Sequence, residues 1–229
     1  MPATPTSSGS SSTAPSAGDR RGRMTSAAGP EVRVYLEVGR ASAFAVALDW
    51  PGWCRRAKTP EAALAALDTY RHRFAAVVGE DVPDLPFEVV GTVDGNRTTD
   101  FGAPDAQGPW DAEPLTGEEL ARQVDLLEDA WAYFDLVVAS APAELRKGPR
   151  GGGRHRDGIV AHVMEAERAY CPKVGTRVPP RTPWDAQRAV VLAALRSGAD
   201  GGTWPVGYAL RRLAWHVLDH AWEIEDKSD

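Results

Sequence analysis

The chain has 229 residues, 43% of them hydrophobic, and its 26 basic and 32 acidic residues give a net charge of −6. This length allows two domains with cores of their own. The negative charge argues against a broad nucleic-acid-binding surface. No apolar run approaches the roughly 20 residues that span a bilayer. We therefore expect neither a membrane nor a nucleic acid as a partner.

The cysteines and the N-terminus indicate the cellular compartment. Cys54 and Cys171 fall in different predicted domains, so a stabilising disulfide is not expected, and sparse cysteines fit a reducing cytoplasm. No hydrophobic stretch follows the basic residues at 20–23, which excludes a secretory signal. The sequence predicts a cytoplasmic protein.

Residues 1–30 consist largely of Ser, Thr, Ala, Pro and Gly. Such a segment buries too little apolar surface to offset its loss of conformational entropy, so we predict that it is disordered. Met24 is an alternative start of the chain.

Residues 31–97 have the pattern of an α+β domain in the order β-β-β-α-β. Short runs rich in β-branched and aromatic residues alternate with turn residues such as Pro51-Gly52. Thr59 is a predicted N-cap, with Pro60 at the first helical position. The predicted elements are strands at 32–38, 44–50, 53–57 and 87–93 and a helix at 60–78.

The remaining chain is predicted to be a linker followed by helices. Residues 98–114 are rich in Gly, Pro and Asp, which is typical of a linker. From there, residues 115–229 carry four amphipathic patterns, the first with a capping box of Thr116 and Glu119. We predict an all-α, up-down four-helix bundle. Its helices are expected at about 116–141, 157–171, 183–197 and 205–226.

Three of the five histidines fall on apolar faces of the predicted bundle helices. His216 and His220 are four residues apart and therefore lie on one helix face, and His162 belongs to the apolar face of the second helix. Buried imidazoles need polar partners. One divalent cation held by all three would satisfy them together, and hydrogen-bonded core histidines are the alternative. His155, in the basic loop 146–156, is a substitute ligand.

The histidine pattern resembles the DinB-like family of metal-binding four-helix bundles. In that family one histidine comes from the second helix and a His-x-x-x-His pair from the last. His162 in DGIVAHVMEAE and His216 and His220 in RLAWHVLDHAWEIED match these positions. The resemblance covers about residues 115–228 and implies a divalent metal, Zn²⁺, Ni²⁺ or a similar ion. Members include transferases and isomerases that use a low-molecular-weight thiol.

The N-terminal half is similar to the HicB-like family, whose pattern is a strand, D-x-P-G, another strand, and T-x-x-E-A at a helix start. The stretch ALDWPGWCRRAKTPEAALAAL at 47–67 carries this pattern. The resemblance covers about residues 31–79 and implies a partial RNase-H-like fold. HicB proteins are antitoxins, usually with a DNA-binding tail, but this chain has no such segment. We interpret the domain as a binding or regulatory module.

Two hypotheses of different classes follow from these resemblances. In the first, the protein binds a divalent metal and is a metal-dependent transferase or isomerase that activates a low-molecular-weight thiol toward an electrophilic small molecule. In the second, it is a non-catalytic protein whose HicB-like domain contacts a partner protein or RNA. Both hypotheses leave a homodimer open, and neither assigns a catalytic residue.

Overall fold

The computed structural model describes residues 31–79, 82–148, 153–199 and 201–228. The predicted disordered tail at 1–30 lies outside these ranges. Within them, the N-terminal part contains a four-stranded mixed sheet and the C-terminal part is helical.

The four strands of the sheet run in the order β3-β2-β1-β4. β1 is antiparallel to β2 and parallel to β4, and β2 is antiparallel to β3. Both faces of the two central strands are covered, because β2 is buried at every position and β1 at all but two. The strand bounds are Val32–Val38 for β1, Ala43–Ala47 for β2, Cys54–Ala57 for β3 and Phe87–Asp94 for β4.

The two faces of the sheet contact different parts of the chain. On one face, Ala45 belongs to the same apolar cluster as Leu67 of the first helix. On the other face, Phe44 packs edge-on against Trp215 of the last helix, with 6.1 Å between ring centroids. The sheet is thereby held directly against the helix that carries two of the three predicted metal ligands.

The predicted helix at 60–78 consists of two helices, α1 at Pro60–Thr69 and α2 at Arg71–Val78. The predicted N-cap is observed, since the Thr59 side chain accepts a hydrogen bond from the Ala62 amide at 3.2 Å. The helix breaks at Tyr70, whose backbone leaves the helical region. The sequence pattern did not reveal the break, because the buried side chains keep helical spacing across it.

The segment predicted as a linker, 98–114, contains ordered structure. It includes most of α3, Arg97–Phe101, and a 3₁₀ turn at Pro109–Ala112. Its Asp111 is buried and forms an ion pair with the buried Arg211 of the last helix. Long-range contacts of this kind stabilise a Gly- and Pro-rich segment that composition alone marks as a loop.

The C-terminal helices lie within two residues of their predicted bounds. They are α4 at Gly117–Ser140, α5 at Arg156–Tyr170, α6 at Trp184–Arg196 and α7 at Val206–Ser228. α7 packs against α4 and α5, and α4 also contacts α6. No helix in the described ranges is both long enough and apolar enough to cross a membrane.

One cluster of buried apolar side chains extends from the sheet into the helices. It includes Val34 of β1, Phe74 of α2, Phe134 of α4 and Leu213 of α7. The division into domains at 31–97 and 115–229 stays a prediction. The observed packing gives the two halves a shared apolar surface.

Candidate metal centre

α5 and α7 carry the three predicted ligands where the two helices pack together. His162 lies in the second turn of α5, between the buried Ile159 and Val163. His216 and His220 lie one turn apart on α7. The neighbouring side chains of Leu213 and Val217 are buried. The packing of these apolar side chains therefore also places the imidazoles between α5 and α7.

The three imidazoles lie next to one another. Ring centroids are 5.3 Å apart for His162 and His216 and 5.0 Å apart for His162 and His220. The pair on α7 is separated by 4.8 Å. One ring nitrogen from each histidine lies within 4.8 Å of the other two. A tetrahedral ion with bonds of about 2.0–2.1 Å needs nitrogens roughly 3.4 Å apart, so binding would draw the rings closer.

His216 is the most enclosed of the three histidines, with 6% of its surface exposed. Its ring contacts Tyr170 and Trp215, each with 5.9 Å between centroids. Burial, with smaller contributions from the two neighbouring histidines, lowers the pKa of His216 to about 2. The ring is therefore neutral at physiological pH, which is the form that binds a metal.

The Nδ1 atom of His216 is buried and has no hydrogen-bond partner among the described residues. A buried ring nitrogen without a partner costs about 1–3 kcal/mol. A protein tolerates this free-energy cost where another interaction offsets it. A bound cation would be such an interaction. The donor set and this unpartnered atom both fit a divalent metal that accepts imidazole ligands.

Glu223 is a functional candidate that the sequence interpretation missed. Its Oε2 lies 2.7 Å from Nδ1 of His220, one turn earlier on α7. The interactions with His220 and Lys227 lower the pKa of Glu223 to about 2, against the effect of burial. Because the ionised carboxylate only accepts, Nδ1 of His220 donates the proton, and Nε2 keeps the lone pair that a metal requires.

The substitute ligand His155 and the other nearby acidic and imidazole side chains do not join the three histidines. Glu165 and His155 are exposed on α5 and at its N-cap, and His72 is exposed on α2. Asp219 forms an ion pair with Arg55 of β3 at 3.2 Å. In the described part of the chain, only His162, His216 and His220 come together as a metal-sized group.

Two arginines contribute positive charge near the site. Arg212, one turn before His216 on α7, is 7% exposed and donates to the Pro104 carbonyl at 2.6 Å. Arg212 and Arg154 both contribute to the lowered pKa of His216. Their positive charges oppose a bound cation, but they favour any anion that accompanies the cation.

No protein-family model matches the chain, and no curated protein or solved structure matches it significantly.

Proposed function

We propose that His162, His216 and His220 bind one divalent cation, Zn²⁺, Ni²⁺ or a similar ion. The observation that carries the proposal is the approach of three imidazole nitrogens, from two helices, to within 4.8 Å of one another. The unpartnered Nδ1 of His216 supports it. Three ligands would leave one position of a tetrahedral ion open to a small molecule.

We further propose that the site activates a low-molecular-weight thiol for attack on an electrophilic small molecule. A bound divalent cation lowers the pKa of a coordinated thiol, so that thiolate forms at neutral pH. The residues of the chain contribute in two ways. Glu223 orients His220, and the positive charges of Arg154 and Arg212 stabilise an anionic sulfur. The resemblance to DinB-like proteins supports the choice of a thiol.

The finer architecture belongs to the same proposal. We propose that α4–α7 form an up-down bundle of the DinB-like kind, supported by the contacts of α4 with α6 and α7 and of α5 with α7. The order of strands and helices in the sheet region supports a HicB-like module. A cytoplasmic location would supply thiols, and Cys54 and Cys171 are both unpaired.

The test combines metal content with a chemical reaction. The metal-loaded protein should accelerate attack of a thiol on 1-chloro-2,4-dinitrobenzene, in which an S–C bond forms and chloride leaves. The protein without metal and the His216→Ala variant should not. A metal-loaded protein that neither binds thiols nor accelerates the reaction would refute the thiol chemistry and leave the metal site.

A non-catalytic binding protein is the second candidate function. The observation that favours it is exposed apolar surface on the N-terminal part, where Phe101 of α3 is 90% exposed and Val89 of β4 is 44% exposed. Exposed apolar side chains mark partner contacts when they form a contiguous patch. A protein that binds no metal, and whose melting temperature no metal changes, would favour this candidate.

A further inference from the structure

A polar pocket lies between β3 and the last turns of α7, and its wall includes Glu223, the hydrogen-bond partner of His220. Its volume is about 260 Å³. Both halves of the chain contribute to it. It is lined by Arg55, Asp219, Trp222, Glu223, Asp226 and Lys227.

Charges of both signs line this pocket. Arg55 pairs with Asp219 at 3.2 Å, and the Lys227 ammonium pairs with Glu223. Each of these pairs leaves hydrogen-bonding capacity unused. The Arg55 guanidinium donates to Asp219 alone among the described residues, and a lysine ammonium has three donors. A ligand with one charge of each sign matches such a surface better than a simple anion or cation.

Aromatic rings hold the Arg55 side chain in place. Its guanidinium carbon lies 3.8 Å from the ring centroid of Tyr70 and 5.4 Å from that of Trp222. The side chain is 18% exposed. A guanidinium fixed by stacking loses little entropy when it binds a carboxylate, because its orientation is already set.

One residue joins this pocket to the histidine site. Glu223 lines the pocket and accepts the hydrogen bond from Nδ1 of His220 at 2.7 Å. Asp219, which also lines it, precedes His220 in the chain. A small molecule in the pocket is therefore one side chain away from the imidazole of His220.

We infer that this pocket binds the ammonium and carboxylate of an amino-acid-type thiol, whose sulfur extends to the histidines. The inference rests on the proposed thiol chemistry and specifies its substrate class. Arg55 and Lys227 face the carboxylate, and Asp219 and Asp226 face the ammonium. The sheet thus supplies a specificity-determining residue, Arg55, to a site whose ligands all come from helices.

The experiment uses the full chain loaded with Co²⁺ and three thiols. L-Cysteine carries both charges, 3-mercaptopropionate only the carboxylate and cysteamine only the ammonium. Binding is followed through the thiolate-to-cobalt charge-transfer absorption. L-Cysteine should bind most tightly. Arg55→Gln should weaken the binding of L-cysteine and of 3-mercaptopropionate about tenfold, which is the effect of one lost charge-assisted hydrogen bond. The affinity for cysteamine should not change.

Arg56→Gln is the matched control. Arg56 follows Arg55 on β3, is exposed and donates to the Asp100 carbonyl at 3.1 Å, away from the pocket. It should leave all three affinities unchanged. If Arg55→Gln fails to fold, Lys227→Gln replaces it and should show the same selective loss. Equal affinity for the three thiols, or equal losses for all three in the variant, would overturn the inference.

A protein that takes up no cobalt would refute the proposed function without deciding the pocket. In that case calorimetric titration of the metal-free protein with S-methyl-L-cysteine tests the pocket directly. Binding that Arg55→Gln weakens about tenfold would support the inference. An absence of binding would overturn it.

Discussion

Oε2 of Glu223 lies 2.7 Å from Nδ1 of His220, three residues earlier on the same helix. The contact fixes which nitrogen of His220 carries the proton. It also connects the candidate metal centre to the pocket between β3 and α7. The orientation of a ligand and the recognition of a small molecule therefore depend on one carboxylate.

Replacing this carboxylate should weaken metal binding without abolishing it. Outer-shell partners of histidine ligands typically contribute 10–100-fold to metal affinity, so we expect a loss of about this size in Glu223→Gln. Competition with a chromophoric chelator measures it. Glu165→Gln removes an exposed carboxylate of α5 near His162 and should have little effect. Equal losses of metal affinity in both variants would show that Glu223 acts through its charge and not by orienting His220.

The buried ion pair between Asp111 and Arg211 should anchor the segment at 98–114. Asp111→Asn leaves the Arg211 charge in a site that is 6% exposed, and an uncompensated buried charge costs about 3–5 kcal/mol. Urea unfolding measures the loss. Asp49→Asn, which breaks the more exposed pair with Arg33, should cost at most ~1 kcal/mol. If Asp111→Asn lowered the free energy of unfolding as little as Asp49→Asn does, the buried ion pair would not anchor the segment.

The location of the histidines could be predicted from the sequence, because it depends on local periodicity. His216 and His220 fall on a helix face that Leu213 and Val217 also mark. The bounds of α4–α7 could be predicted for the same reason. The break at Tyr70 could not, because helical spacing continues through it.

Contacts that are distant in sequence could not be predicted. Arg55 and Asp219 are 164 positions apart, and Asp111 is 100 positions from its partner Arg211. Neither contact leaves a periodic signal. Glu223 did leave a signal in the sequence, because it follows His220 by three residues and residues three apart share a helix face. That signal is weak, because a carboxylate near the end of an amphipathic helix is most often exposed to solvent.

The buried carboxylate of Glu37 should give the protein a measurable pH dependence. Glu37 is 0% exposed and accepts hydrogen bonds from the Thr99 hydroxyl and from the Asp105 and Ala106 amides. Burial raises its pKa, although the three hydrogen bonds oppose the rise. The folded state therefore binds this proton more tightly than the unfolded chain does.

The sign of the effect follows from that difference. The contribution of Glu37 to the free energy of unfolding is fully present below its unfolded pKa of about 4.3 and is lost as the pH rises through the folded-state value. Relative to Glu37→Gln, the parent should gain stability in urea as the pH falls from 7 to 4. Glu88→Gln, an exposed change on β4, should track the parent. Parallel curves for parent and Glu37→Gln would contradict this prediction.

Elemental analysis of the purified full-length protein is the most direct test of the metal site. We predict one divalent metal ion per chain in the parent and in His72→Ala, and a large loss of metal in His162→Ala, His216→Ala and His220→Ala. Metal should also raise the melting temperature of the parent, because it binds only the folded state. A parent that holds no metal after incubation with Zn²⁺, Ni²⁺ or Co²⁺ would contradict the account. So would a His162→Ala variant that keeps its metal while His155→Ala loses it.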